Sequence, residues 1–152
     1  LEEHGLPEDH LEILSTSRKE FAKYPGDRAE YQNGYDRTIE ALQNGTASTA
    51  FIGNNDMTAL GIMDAITKLG YKIPFDYSVC GFDNIPLASM KQISLTTIEH
   101  ATVQKGHEAV DLIHKKHSQD HSGRQPSYTV RLEYEPQLIV RNSTGKCRKN
   151  LR

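Results

Sequence analysis

The sequence has few cysteines, no long apolar run and no excess of one charge sign. Its two cysteines, Cys80 and Cys147, are too few for the disulfide frameworks of small secreted domains. No apolar run approaches the roughly 18 residues that a membrane span requires. The 18 basic and 20 acidic residues leave a net charge of −2, which argues against a dedicated nucleic-acid surface. The 152 residues are enough for one domain with a real core.

Motifs of the common enzyme and metal classes are also missing. The chain has no dinucleotide-binding loop, no phosphate-binding P-loop and no nucleophile elbow. His114, His117 and His121 are close in sequence, but the lysines and arginine among them oppose a cation, so we predict a solvated surface. Cys80 lies inside a predicted strand, where we expect it to act as a small apolar residue. We therefore predict no enzyme activity, no metal and no cofactor.

Apolar spacing predicts strands that alternate with helices. In the first long helix, which opens at Asp27 and stops at Asn44-Gly45, an apolar stripe recurs with the helical period at Tyr31, Tyr35, Ile39 and Leu42. Two further helices are predicted over residues 57–69 and 102–117. Strands are predicted over residues 11–14, 49–53, 77–82, 95–98, 128–134 and 138–140. This alternation predicts an α/β fold with a Rossmann-like parallel sheet and flanking helices.

Short polar side chains follow three of the predicted strands. The groups are Ser15-Thr16-Ser17, Asn54-Asn55-Asp56 and Asp83-Asn84. In an open parallel sheet, ligands bind beyond the carboxyl ends of the strands. Amide and carboxylate groups at that edge suit the hydroxyl groups of a sugar or polyol. The alternative is that Asn55 and Asp56 serve only as helix N-caps, and residue type alone leaves both interpretations open.

Three linked motifs carry a family resemblance. They are Asn-Asp-Met-Thr-Ala-Leu-Gly at residues 55–61, the stretch from Ile73-Pro74 to Gly-Phe-Asp-Asn at 81–84, and Leu-Thr-Thr-Ile at 95–98. In this order and spacing they resemble the effector-binding domain of LacI/GalR transcription regulators. Periplasmic sugar-binding proteins share that fold, but the Leu-Thr-Thr-Ile segment favours a regulator. The alternative is a periplasmic or lipid-anchored sugar-binding receptor of a transporter.

The resemblance implies a two-lobed domain of which this chain is a C-terminal fragment. Residues 1–100 would form the C-terminal lobe without its first strand and helix, and residues 101–135 would pack on the N-terminal lobe. Residues 136–141 would return to the C-terminal lobe, and residues 142–152 would form a flexible tail. The apolar residues Val103, Ala109, Val110 and Ile113 of the last helix would then need a partner surface outside this lobe.

The resemblance also implies binding residues. Asn55 and Asp83 match positions that commonly bind the effector, which would be a sugar or sugar phosphate. Phe21 or Tyr24 could stack on a sugar face, or could equally pack locally. The regulator would be a cytoplasmic homodimer that contacts operator DNA only through an N-terminal module and does not contact a membrane. The implied dimer interface comprises Leu60, Gly61, Asp64, Leu87 and Met90, although Leu87 and Met90 could instead fold back on their own lobe.

Overall fold

A computed structural model describes residues 11–24, 26–119 and 129–147. The helices are α1 (Arg18–Phe21), α2 (Ala29–Gln43), α3 (Asp56–Lys68) and α4 (Thr102–Gln119). The strands are β1 (Ala50–Ile52), β2 (Ser78–Phe82), β3 (Thr96–Glu99) and β4 (Gln137–Ile139). Two short 3-10 helices span Gly26–Arg28 and Pro86–Ser89.

The strands form one sheet in the order β1-β2-β3-β4. β1, β2 and β3 are parallel, and β4 is antiparallel to β3. The connection from β1 to β2 passes through α3, which is the crossover that a parallel pair requires. The predicted α/β class and the parallel sheet with flanking helices are therefore confirmed.

The core lies between the sheet and α3. Phe51 and Val79 come from β1 and β2, Leu95 directly precedes β3, and Ile62 and Ile66 come from α3; all five are buried. Helix α2 packs on α3 rather than on the sheet. The sheet therefore fixes α3 directly and α2 through α3.

Two predicted strands do not form. Residues 11–17 have no regular structure, and Leu11 and Ile13 are 59% and 77% exposed. Residues 129–136 also lack regular structure, and Tyr128 lies outside the described residues. A strand is stable only with a hydrogen-bonded neighbour. Neither segment pairs with a strand of the described sheet. Residues 11–14 are instead tied to the rest by Glu12, which accepts a hydrogen bond from the Thr46 hydroxyl at 2.6 Å.

The segment after β4 is not frayed as far as it is described. Ser143 is buried, and its hydroxyl donates to the Val79 carbonyl at 2.6 Å while accepting from the Thr96 amide at 2.7 Å. The Val79 amide also donates to the Ser143 carbonyl at 2.8 Å. These bonds fasten Ser143 to the amino ends of β2 and β3, whereas a flexible tail was expected over residues 142–152. Residues 148–152 lie outside the described part.

Helix α4 exposes the apolar side chains that the sequence singled out. Val103, Val110 and Ile113 are 73%, 65% and 69% exposed, and Ala109 is also exposed. Among the described residues, α4 has no extensive packing against another helix or strand. His114 and His117 are exposed on the same helix, and His121 lies outside the described residues.

Candidate functional site

The carboxyl ends of the three parallel strands meet at one edge of the sheet. β1 ends before Asn54-Asn55, β2 before Asp83-Asn84 and β3 before His100. Phe82 is in register with Ile98, so the residues that follow β2 and β3 are neighbours. Asn55, Asp83 and His100 thus follow adjacent strands at the edge where ligands of such sheets bind.

Asn55 is the N-cap of α3. Its side-chain oxygen accepts a hydrogen bond from the Thr58 amide at 2.9 Å. Its amide nitrogen takes no part in the cap, and the residue is half-buried. The cap interpretation is therefore correct for the oxygen, and a ligand contact by the nitrogen is compatible with it.

Asp56 has a structural role. It is completely buried, and its carboxylate accepts from the Thr97 hydroxyl at 2.5 Å and from the Ile85 amide at 2.8 Å. These bonds join the start of α3 to β3 and to the loop after β2. Gly81 leaves room for this carboxylate, because a Cβ there would lie 2.2 Å from Asp56 Oδ1. Asp56 therefore fixes the loop that carries Asp83.

Asp83 and Asn84 form a sharp turn at the end of β2. Their φ angles are 105° and 50°, a left-handed backbone that non-glycine residues rarely adopt. Asn84 holds the turn, because it donates to Glu99 Oε2 at 2.9 Å and accepts from Arg141 at 2.7 Å. The bond from Asn84 lowers the pKa of the Glu99 carboxyl. The side chain of Asp83, which is part of this turn, is 40% exposed.

His100 is a residue of this edge that the sequence analysis missed. Its Nε2 lies 3.0 Å from Asp83 Oδ1, and its ring stacks on Phe82 with centroids 5.2 Å apart. Its Nδ1 lies 3.0 Å from the Lys105 ammonium nitrogen. A signal was available, since His100 lies two residues after the strand predicted over residues 95–98.

Phe21 and Tyr24 pack on each other ahead of α2. Their rings meet edge to face, with centroids 6.2 Å apart. Burial and a hydrogen bond to Asp36 on α2 raise the pKa of Tyr24. The two rings therefore lie beside α2. Their recorded contacts are local ones, and a contact with a sugar stays a prediction.

The first polar group, Ser15-Thr16-Ser17, does not follow a strand. Ser17 caps α1, and the Thr16 hydroxyl donates to Asn33 at 2.6 Å and accepts from Arg37 at 2.9 Å. The strand-end argument therefore fails for this group, because the strand on which it depended does not form.

The five residues of the predicted dimer interface separate into two sets. Gly61 is buried against α2, and the hydroxyl of Tyr31 on α2 donates to Asp64, which raises the pKa of Tyr31 to about 12. Gly61 therefore does not fit the predicted interface, because its surface is covered within the chain. Leu60 is half-buried, and Leu87 and Met90 are 38% and 50% exposed.

Other places in the described residues offer less chemistry. A shallow groove of about 390 Å³ lies between the C-terminal ends of α2 and α3, lined by Ile39, Gln43, Leu69 and their neighbours. It is at the amino edge of the sheet, away from Asp83. Among the described residues, no group of three His, Cys, Asp or Glu side chains converges as a metal site. None of the described helices combines the length and apolarity that crossing a membrane requires.

Comparison with known proteins adds a family to this geometry. Residues 1–144 match the periplasmic binding protein-like domain family. The HTH-type transcriptional repressor PurR of Glaesserella parasuis is 36% identical over 115 residues, which are 74% of this chain and 33% of that protein. The arabinose metabolism transcriptional repressor of Halalkalibacterium halodurans is 33% identical over 100 residues, 66% of this chain and 27% of that protein. The chain thus spans between about a quarter and a third of the length of the curated relatives it matches.

A solved structure agrees with these relatives. A LacI family transcriptional regulator from Enterococcus faecium with bound ribose superposes with a TM-score of 0.70 at 26% identity, over 94% of this chain and 46% of that one. The relatives are named as transcription repressors and not as enzymes or transport receptors. The similar proteins named here are two transcription repressors and a LacI family regulator. The chain belongs to the periplasmic binding protein-like domain family.

Proposed function

We propose that the chain is the effector-sensing part of a LacI-type transcription regulator and that it binds a small sugar at the carboxyl edge of its sheet. The observation that carries this proposal is the placement of Asn55 and Asp83 on adjacent strand ends, with Asp83 partly exposed on a braced turn. A carboxylate and an amide so placed suit neighbouring hydroxyl groups. Operator DNA would be contacted by a separate module, and the regulator would act in the cytoplasm.

The class of effector is supported by the similar proteins. The Enterococcus faecium regulator was solved with ribose, and the Halalkalibacterium halodurans repressor is named for arabinose metabolism. Ribose and arabinose both present several hydroxyl groups that can donate to a carboxylate. A pentose is therefore the first effector to test.

The exposed face of α4 supports the proposed domain division. Val103, Val110 and Ile113 leave most of their apolar surface in water. Burying one such side chain stabilises a protein by about 1.5–3 kcal/mol, so a partner surface is favoured. We assign that role to a second lobe packed on residues 101–135, with residues 1–100 and the return segment 136–141 in the lobe that carries Asp83.

Effector binding is tested by substitutions that separate the capping role of the Asn55 oxygen from the proposed ligand contact of its amide nitrogen. Asn55→Ser keeps a capping oxygen but removes the amide nitrogen, so we expect normal stability and weaker binding. Asn55→Ala loses the cap as well, which should lower the free energy of unfolding by about 1 kcal/mol. Asp83→Ala should weaken binding by about 1–3 kcal/mol, because a charged hydrogen bond to the effector is lost. Titration calorimetry with ribose and arabinose measures the affinities, and thermal denaturation measures the stabilities.

Lys68→Ala, at an exposed residue that ends α3 by the amino edge of the sheet, is the control and should bind the sugar normally. Unchanged affinity in both Asn55→Ser and Asp83→Ala would remove this edge from the site. A wild-type protein that binds neither pentose would refute the sugar effector.

The dimer is tested at Leu87, in the 3-10 helix after β2. We propose an interface formed by Leu60, Leu87 and Met90 around a twofold axis, with Asp64 at its margin. Leu87→Arg would bury an unpaired charge there and should shift a dimer to monomer. Sedimentation velocity reports the mass, and Ile13→Arg, at a 77% exposed residue outside the interface, is the control. A wild-type monomer at high concentration, or a Leu87→Arg dimer, would contradict the interface.

A further inference from the structure

A chain of polar contacts connects the end of β2 to helix α4 through His100. Asp83 Oδ1 faces one ring nitrogen of His100 at 3.0 Å, and the Lys105 ammonium faces the other at 3.0 Å. Phe82 covers the ring in a stacked geometry, with an interplanar angle of 23°. Contacts from β2, from the turn after it and from α4 therefore fix the position of this imidazole, whose side chain is 25% exposed.

The two partners determine which ring nitrogen carries the proton. An ammonium group only donates hydrogen bonds, so the Nδ1 that faces Lys105 must accept. A carboxylate only accepts, so the Nε2 that faces Asp83 must donate. The arrangement thus requires a neutral imidazole with its proton on Nε2, because a doubly protonated ring would set an N–H against the ammonium.

Lys105 is itself held on its other side. Its ammonium lies 5.5 Å from the centroid of the Tyr134 ring, and the Tyr134 hydroxyl donates to Glu108 one turn further along α4. The Thr102 hydroxyl lies 3.4 Å from His100 Nε2 and is a weaker second neighbour of that nitrogen. Lys105 therefore presents its charge to His100 from a position that α4 and the segment before β4 both support.

We propose that His100 is a positioning residue for Asp83, and that Lys105 holds it in the Nε2–H tautomer. This inference rests on the proposed effector site. His100 occupies Oδ1 of the Asp83 carboxylate and leaves Oδ2 to accept from the effector. The group that meets Asp83 must then be a donor, such as a sugar hydroxyl, since a phosphate or carboxylate would be repelled. The pairing selects a hydrogen-bond donor, such as a hydroxyl, at this point of the effector.

Nuclear magnetic resonance of the protein with ¹⁵N-labelled histidine tests the pairing without any effector. At a pH of about 8, where histidine side chains are largely neutral, we expect an Nε2–H proton of His100 that exchanges slowly enough to be observed. His100→Gln identifies that resonance by removing it. Asp83→Ala should abolish it, and Lys105→Met should broaden it, whereas Lys115→Met on the exposed part of α4 should not.

An Nδ1-protonated ring in the wild type, or a resonance that survives Asp83→Ala, would overturn the pairing. A resonance unchanged in Lys105→Met would overturn the role of Lys105. These results depend on no sugar, so they decide the pairing even if the proposed effector is wrong.

Sugar binding then tests the positioning role. His100→Ala should lower the affinity for ribose or arabinose about tenfold, the cost of one charged hydrogen bond. His100→Gln should restore most of it, since its amide N–H can donate to Asp83. Lys68→Ala, at an exposed residue that ends α3 by the amino edge of the sheet, is the control. Equal losses in the alanine and glutamine variants would refute positioning, and a wild type that binds neither sugar would refute the pentose effector instead.

Discussion

Replacing Asp56 by alanine is expected to destabilise the protein by roughly 2–5 kcal/mol, because a buried hydroxyl and a part-buried amide both lose their acceptor. The donors are the Thr97 hydroxyl and the Ile85 amide, and the carboxylate that serves both is completely buried. The same change frees the loop that leads from Phe82 to the 3-10 helix Pro86–Ser89. We therefore expect both a lower midpoint in urea denaturation and weaker effector binding.

Two further variants make the Asp56 prediction specific. Asp56→Asn keeps one side-chain oxygen and a similar volume, so its loss should be smaller than that of Asp56→Ala. Asp111→Ala removes an exposed carboxylate from α4 and should change stability by less than about 0.5 kcal/mol. If Asp56→Ala unfolds at the same urea concentration as Asp111→Ala, the buried carboxylate does not hold the loop.

The long helices and the parallel strands could be predicted because each carries its own signal. The helix predicted over 57–69 is α3 (Asp56–Lys68), and the strand predicted over 77–82 contains β2 (Ser78–Phe82). Local periodicity sufficed there, since apolar spacing and flanking turn residues agree. The strands predicted over 11–14 and 128–134 failed because a strand also needs a partner, which no local pattern reveals.

The order of the tail could not be predicted for a related reason. Arg141 and Ser143 are polar residues in a basic stretch, which is typical of a frayed end. Their order comes from distant groups: Arg141 donates to the Leu95 carbonyl at 2.7 Å, and Ser143 bonds Val79 and Thr96. Hydrogen bonds across 45 or more residues leave no trace in sequence spacing.

The predicted face of α2 was shifted for a steric reason. The large side chains Tyr31, Tyr35, Ile39 and Leu42 suggested the buried stripe, yet all four are only half-buried. The buried side includes Gly34, Thr38 and Ala41, which are small. Size matters here because α2 and α3 approach closely, and a hydrophobicity pattern does not register how close two helices lie.

The part of the candidate site that could be predicted is the part that follows correctly predicted strands. Asn55 and Asp83 follow strands that form, and the structure places them at one edge. Their roles in binding stay predictions. Asp56 was predicted as a ligand-binding or capping residue and not as a buried acceptor, because nothing in its sequence neighbourhood indicates Thr97 as a partner 41 residues away. His100 was not predicted, because the strand-end argument rested on short polar side chains (Ser, Thr, Asn and Asp) and did not include histidine.

The close contact of α2 and α3 makes Gly61→Ala the second large effect we expect. A Cβ at Gly61 would lie 2.0 Å from the Tyr31 carbonyl oxygen and 2.9 Å from the Tyr35 nitrogen. Both are backbone atoms of α2, so the helices must separate. Overpacking of this kind costs typically 1–3 kcal/mol and occasionally more, which outweighs the roughly 1 kcal/mol that alanine gains over glycine in a helix.

Gly106→Ala separates helix propensity from the steric cost, because a Cβ at Gly106 on α4 would meet no atom within 4 Å. That variant should be more stable by up to about 1 kcal/mol, since only helix propensity changes. Gly34→Ala should behave like Gly61→Ala, as its Cβ would lie 2.3 Å from the Thr58 carbonyl oxygen. The double variant should lose less than the sum of the two, because one separation of the helices relieves both clashes. Chemical denaturation gives all four values, and a Gly61→Ala protein as stable as Gly106→Ala would contradict the close helix contact.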